Sequence, residues 1–102
     1  MMRYGLTQHT LEQIINIFTK IPKVEEVILY GSRVMGNYRE GSDIDLALKG
    51  KDLNMDELLK LSAELDELDL PYHFDLLILE KIENRDLVDH ICRVGETIYR
   101  NK

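Results

Sequence analysis

The chain has 102 residues, which is the length of one domain, so we expect residues 1–102 to form a single domain. Hydrophobic residues make up 44% of the chain and charged residues 31%, which excludes a disordered, collagen-like or coiled-coil protein. Lys and Arg number 13 against 19 for Asp and Glu. The resulting net charge of −6 argues against nonspecific binding of nucleic acid or of an anionic membrane.

The first half of the chain predicts a helix, a strand, a loop and a second strand. Leu11 and Phe18 bound an apolar stripe of helical spacing, which ends before Pro22. Residues 24–30 are apolar and β-branched and predict the first strand. A polar, glycine-containing loop with one helical turn follows, and residues 43–48 then alternate with period two as the second strand.

The second half predicts a helix, a strand, a helix and a short terminal strand. Leucines at helical spacing predict a helix over 58–68, and residues 72–79 predict the third strand. Asn84 is a candidate N-cap for the last helix, with Gly95 as its C′ residue. Residues 97–99 favour a short final strand. This order predicts an α+β fold, a small mixed β-sheet covered by helices on one face.

Three carboxylates interrupt the apolar strands. Asp43 and Asp45 lie two residues apart, so their side chains point to the same face of the second strand. Asp75 lies in the third strand, where it can approach this pair if the two strands are neighbours. Three such charges repel one another unless a cation lies among them. Mg²⁺ is the natural cation, because it is a hard ion that binds carboxylates together with substrate phosphates.

A candidate phosphate site precedes this carboxylate pair. Gly31 and Ser32 follow a buried strand and begin the predicted helical turn, where backbone N–H groups bind anions and a serine adds a hydroxyl donor. The lysine of a P-loop is missing after Gly36, and the ligand spacing of an EF-hand is missing after Asp43. The pattern therefore favours a phosphate cradle beside a magnesium site.

No apolar run reaches the ~18 residues needed to span a membrane, and the N-terminal residues do not resemble a signal peptide. A single cysteine allows no internal disulfide, so we expect a cytoplasmic protein.

At Gly31 to Arg33, Gly36, Ser42 to Leu46 and Asp75 to Leu77, the chain resembles the polymerase-beta-like nucleotidyltransferases, and more closely the minimal nucleotidyltransferase antitoxins. The resemblance implies that Gly31 and Ser32 hold the triphosphate of ATP while Asp43 and Asp45 bind two Mg²⁺ ions. Asp75 would complete the metal site and help to take the proton from the attacking hydroxyl.

The resemblance also implies a partner and a reaction. A HEPN-type toxin encoded nearby would receive AMP from ATP on a tyrosine and lose its activity, and the two proteins would form a hetero-oligomer. Two other functions stay open: an antitoxin that neutralises its partner by stoichiometric binding, and nucleotidyl transfer to a small molecule or to a tRNA end.

Two residues near the predicted site have alternative roles. Arg33 would contact nucleotide phosphate or pair with one of the aspartates. His73 shares a strand face with Asp75, so it is either a partner of the site or a surface histidine.

Overall fold

The computed structural model describes residues 2–101. In chain order its elements are β1 (Met2–Arg3), β2 (Leu6–Thr7), α1 (Gln8–Thr19), β3 (Glu26–Tyr30), α2 (Ser32–Met35), β4 (Ile44–Lys49), α3 (Met55–Asp66), β5 (Phe74–Ile78), α4 (Arg85–Val94) and β6 (Glu96–Arg100). A 3-10 turn, Leu79–Lys81, follows β5. The predicted α+β class is confirmed, and the predicted strands begin or end within two residues of the observed ones.

Four of the strands form a mixed sheet in the order β5-β4-β3-β6. Strand β3 is antiparallel to both β4 and β6, whereas β4 and β5 are parallel. The parallel pair is joined through α3, as a parallel connection requires a crossover. Strands β4 and β5 are therefore neighbours, which is the condition under which Asp75 can approach Asp43 and Asp45.

Helices cover both faces of this sheet, so the prediction that they cover one face is wrong. Strand residues such as Val27 and Leu29 face α1 and α3 in the larger core, which also contains the fully buried Phe18. The alternate residues of β3 belong to a second core with Ile91 of α4: Ile28 and Tyr30. The apolar run of the first strand predicted burial on at least one face, and β3 and β4 are buried on both faces because α4 packs across the second face.

Local contacts shape the N-terminal segment and the first turns of α1 and α4. The two-residue strands β1 and β2 form an antiparallel hairpin that the sequence did not predict. Thr7 caps α1 by accepting a hydrogen bond from the Thr10 N–H at 3.1 Å, and Asn84 caps α4 as predicted.

Gly95 is the C-cap residue of α4, one position before the predicted C′. It ends α4 with φ −66° and ψ 152°, so close packing against Ile28 and Ile91, rather than a positive φ, excludes a side chain. Cys92 on α4 is exposed, whereas its place between Ile91 and Arg93 in the sequence predicted a buried or partly buried thiol.

Within residues 2–101, none of the helices combines the length and the apolar character that crossing a bilayer demands.

Candidate active site

The candidate site lies at the end of the sheet where β3 finishes and β4 and β5 begin. Asp45 is the register partner of Asp75 across the parallel pair and of Tyr30 across the antiparallel pair. Register partners in a sheet point to the same face, so these three side chains lie in a row on the face that carries α4. Asp43 precedes β4 by one residue. The sheet therefore brings the three predicted carboxylates to one end of one face.

Burial and mutual repulsion set the electrostatics of this group. Asp45 is half-buried, whereas Asp43 and Asp75 are exposed. Burial raises the pKa of Asp45, the charges of Asp75 and Asp43 raise it further, and the Arg33 guanidinium opposes the shift. The pKa of Tyr30 is also raised, first by burial and then by the charges of Asp45 and Asp75. The site thus concentrates negative charge, and a cation among these carboxylates would relieve the repulsion.

Gly31 brings the backbone directly against this group. Its φ of 83° and ψ of −152° belong to a region that glycine alone adopts readily. A Cβ at this position would lie 2.5 Å from Asp45 Oδ2. A side chain at position 31 would therefore strain the backbone and displace the neighbouring carboxylate.

The short helix α2 follows Gly31 and begins with Ser32. No side chain caps the start of α2, so its first N–H groups keep their hydrogen-bonding capacity. Ser32 is half-buried. The predicted cradle residues thus lie beside the carboxylates, because Gly31 leaves no room for a Cβ next to Asp45.

Arg33 is 3% exposed, and the predicted pairing with one of the aspartates is not among its contacts. Its guanidinium donates to the backbone carbonyls of Ser42 and Tyr4, and an Arg33–aspartate pair is not among the ion pairs within residues 2–101. His73 is exposed, and its carbonyl accepts a hydrogen bond from the Ile44 N–H at 2.9 Å.

The carboxylates do not form a ready-made cage. Over the described part of the chain, 2–101, there is no cluster of three or more His, Cys, Asp or Glu side chains that could hold one metal ion. The donor chemistry nevertheless fits Mg²⁺, because this ion is usually held by one or two carboxylates, several waters and the phosphates of a substrate. Asp45 and its register partner Asp75 supply two such carboxylates.

Two tyrosines near the site, Tyr30 and Tyr72, were not among the site residues that the sequence predicted. Tyr30 ends the buried strand directly before Gly31, and this position beside the predicted cradle was the available signal. Tyr72 stacks on Arg33, with 4.7 Å between the guanidinium carbon and the ring centre. Nothing in the local pattern around Pro71 pointed to that contact.

Comparison with known proteins shows the family to which the chain belongs. Residues 12–102 match the family model described as polymerase beta, nucleotidyltransferase. Because the match covers most of the chain, the protein belongs to this nucleotidyltransferase family. No curated protein matches the chain.

Three of the solved structures that are similar to this chain are toxin–antitoxin structures. The chain is 26% identical to a chain in a crystal structure of a toxin–antitoxin with AMP-PNP, with a TM-score of 0.74 over 90% of this chain and 74% of that one. A second similar chain comes from the structure of the tri-AMPylated Shewanella oneidensis HEPN toxin in complex with MNT antitoxin. The two chains are 25% identical, with a TM-score of 0.69 over 92% of this chain and 72% of that one. At 24% identity, an MntA–HepT toxin–antitoxin structure shares the fold with a TM-score of 0.70, over 93% of this chain and 74% of that one. The predicted resemblance to the minimal nucleotidyltransferase antitoxins is confirmed.

Proposed function

We propose that this protein is a metal-dependent nucleotidyltransferase that transfers AMP from ATP to a hydroxyl of a HEPN-type toxin and so acts as its antitoxin. The observation that carries the proposal is the register of Asp45 with Asp75, next to the close approach of Gly31 to Asp45. The similar chains come from toxin–antitoxin structures, one with AMP-PNP and one with an AMPylated toxin.

In this proposal the cradle residues bind the triphosphate. The backbone N–H groups at the start of α2, with the Ser32 hydroxyl, donate hydrogen bonds to phosphate oxygens. Gly31 lets these donors lie close to the carboxylates, so the α-phosphorus is presented beside them. Such positioning is the main contribution that a protein makes to phosphoryl-group chemistry.

The carboxylates of Asp43, Asp45 and Asp75 would together hold two Mg²⁺ ions. Bound Mg²⁺ supplies positive charge that stabilises the attacking and leaving oxygens. Asp75 is exposed, so a hydroxyl from outside the chain can reach it and give up its proton to the carboxylate. The hydroxyl oxygen then forms a bond to the α-phosphorus as the bond to pyrophosphate breaks.

The acceptor in this proposal is a protein. With a net charge of −6, the chain repels a long nucleic acid and suits a partner with a basic face. The exposed position of Asp75 leaves the acceptor side of the site open to such a partner.

Label transfer tests the reaction. The chain is incubated with Mg²⁺, α-labelled ATP and the HEPN-type toxin, and label is sought on the toxin. We expect Asp45→Asn to abolish labelling and Asp52→Asn, the same change at an exposed turn residue, to leave it intact. A stable complex without any label from the wild-type chain would refute transfer and favour the stoichiometric antitoxin.

Ligand-induced stabilisation tests the site without the toxin. At a hundredfold excess over Kd, Mg²⁺ and ATP should stabilise the folded chain by about 2.7 kcal/mol, seen as a rise in Tm. Asp45→Asn should lose this rise, whereas its Tm without ligand should not fall, because the change removes a charge that Asp43 and Asp75 repel. An equal rise in the variant would remove Asp45 from the site.

A further inference from the structure

Arg33 has hydrogen bonds to two distant segments of backbone. Its Nε and Nη2 donate to the Ser42 carbonyl at 3.2 and 2.8 Å, and its Nη1 donates to the Tyr4 carbonyl at 2.8 Å. The first contact fixes the end of the loop that leads into β4. The second fixes the turn of the N-terminal hairpin.

Two aromatic rings complete the surroundings of this guanidinium. Its central carbon lies 5.3 Å from the ring centre of Tyr38 and 4.7 Å from that of Tyr72. Such distances are those of cation–π contacts, and a planar guanidinium stacks on rings in a way that a lysine ammonium does not. Tyr72 lies in the segment that leads into β5. Arg33 therefore contacts the entry segments of both strands that carry the carboxylates.

The spacing along the chain links these contacts to the site. Ser42 is the residue before Asp43, and Tyr72 is three residues before Asp75. The two entry segments are also joined directly, by the hydrogen bond from the Ile44 N–H to the His73 carbonyl. A shift of Arg33 would thus move both segments relative to each other.

We propose that Arg33 is a positioning residue: it holds the entries to β4 and β5 in place and thereby sets the separation of Asp43 and Asp75. This role differs from the phosphate contact, one of the two roles that the sequence left open, because the Arg33 guanidinium is buried and its Nε, Nη1 and Nη2 groups each donate to a backbone carbonyl. Its charge also acts on the site, since it opposes the rise in the pKa of Asp45. The kinetic consequence rests on the proposed function.

Three variants separate positioning from phosphate binding and from charge. Arg33→Lys keeps the charge but loses the fork that bonds two segments at once. Tyr72→Leu removes one stacking ring and leaves every hydrogen bond of Arg33 in place. Arg93→Lys, at an exposed ion pair with Asp89 on α4, is the matched control.

Steady-state kinetics of label transfer give the first readout. Because a misplacement of about 1 Å can cost about a hundredfold in rate, we expect Arg33→Lys to lower kcat by roughly tenfold to a hundredfold. KM for ATP should stay within about twofold, and Tyr72→Leu should lower kcat in the same direction by less. A rise in KM at unchanged kcat would overturn the proposal in favour of direct phosphate binding, and wild-type kinetics in Arg33→Lys would overturn it outright.

Hydrogen exchange gives a second readout that needs no activity. In Arg33→Lys and in Tyr72→Leu, the Ile44 amide should exchange faster than in the wild type, while amides in α1 keep their protection. Unchanged exchange at Ile44 in both variants would overturn the proposal, even if the wild-type chain transfers no label and the proposed function has failed. If Arg33→Lys does not fold, the exchange rate of the Ile44 amide in Tyr72→Leu alone tests the proposal, and an unchanged rate would overturn it.

Discussion

Replacing Gly31 with alanine should damage the site through one identifiable contact. The new Cβ would lie 2.5 Å from Asp45 Oδ2, which is about 0.9 Å short of the 3.4 Å at which ordinary contact begins. Either the carboxylate or the backbone must move by that amount. Since a displacement of about 1 Å can cost about a hundredfold in rate, we expect Gly31→Ala to lower label transfer by roughly that factor.

The same substitution strains the backbone. A side chain at φ 83° and ψ −152° costs about 1–3 kcal/mol. For a domain of this size, about 1 kcal/mol corresponds to a fall in Tm of roughly 4–8 °C, so we expect a fall of roughly 4–24 °C. Differential scanning calorimetry measures this fall.

Gly36→Ala is the matched control. Gly36 shares the φ of 83° but has ψ 3°, and a Cβ there meets no heavy atom within 4 Å. It should cost about 1–2 kcal/mol of stability through its left-handed backbone, with no effect on Asp45. Equal transfer rates in Gly31→Ala and Gly36→Ala would refute the idea that Gly31 is needed for the position of Asp45.

Two further predictions concern the stability of the sheet and of α4. The Thr97 hydroxyl donates a hydrogen bond to Glu26 and lowers the pKa of that carboxyl below its ordinary value of 4.5. The hydrogen bond therefore stabilises the fold above about pH 4.5, and this stabilisation is lost as pH falls through the folded-state pKa of Glu26. Thr97→Val should lower the free energy of unfolding, measured in urea at pH 7, by about 1 kcal/mol. The difference in this free energy between the variant and the wild type should shrink at pH 3, and a difference independent of pH would contradict the role of the Thr97–Glu26 hydrogen bond. Gly95→Ala would place a Cβ 2.6 Å from Ile28 Cγ2 and closer still to the Ile91 carbonyl, so chemical denaturation should show a loss of about 1–3 kcal/mol, and an unchanged midpoint would contradict the packing argument.

The sequence determined those features that depend on residues close together in the chain. The apolar stripe of α1 and the cap at Asn84 follow from helical periodicity and from local hydrogen bonds. The spacing of Asp43 and Asp45 placed two carboxylates on one face at the start of one strand, because side chains two residues apart in a strand point to the same face. Gly31 was also identifiable, because a glycine after a buried strand indicates a close backbone approach.

Tertiary structure decided which distant segments meet. The register that sets Asp45 beside Asp75 and the packing of α4 on the second face both depend on contacts between residues far apart in sequence. The contacts of Arg33 depend on such packing as well: its local sequence allowed a phosphate contact, but the fold surrounds it with backbone carbonyls and tyrosine rings. The physical reason is that periodicity reports which face of an element is apolar, whereas the partner of that face is chosen by the free energy of burying all the elements together.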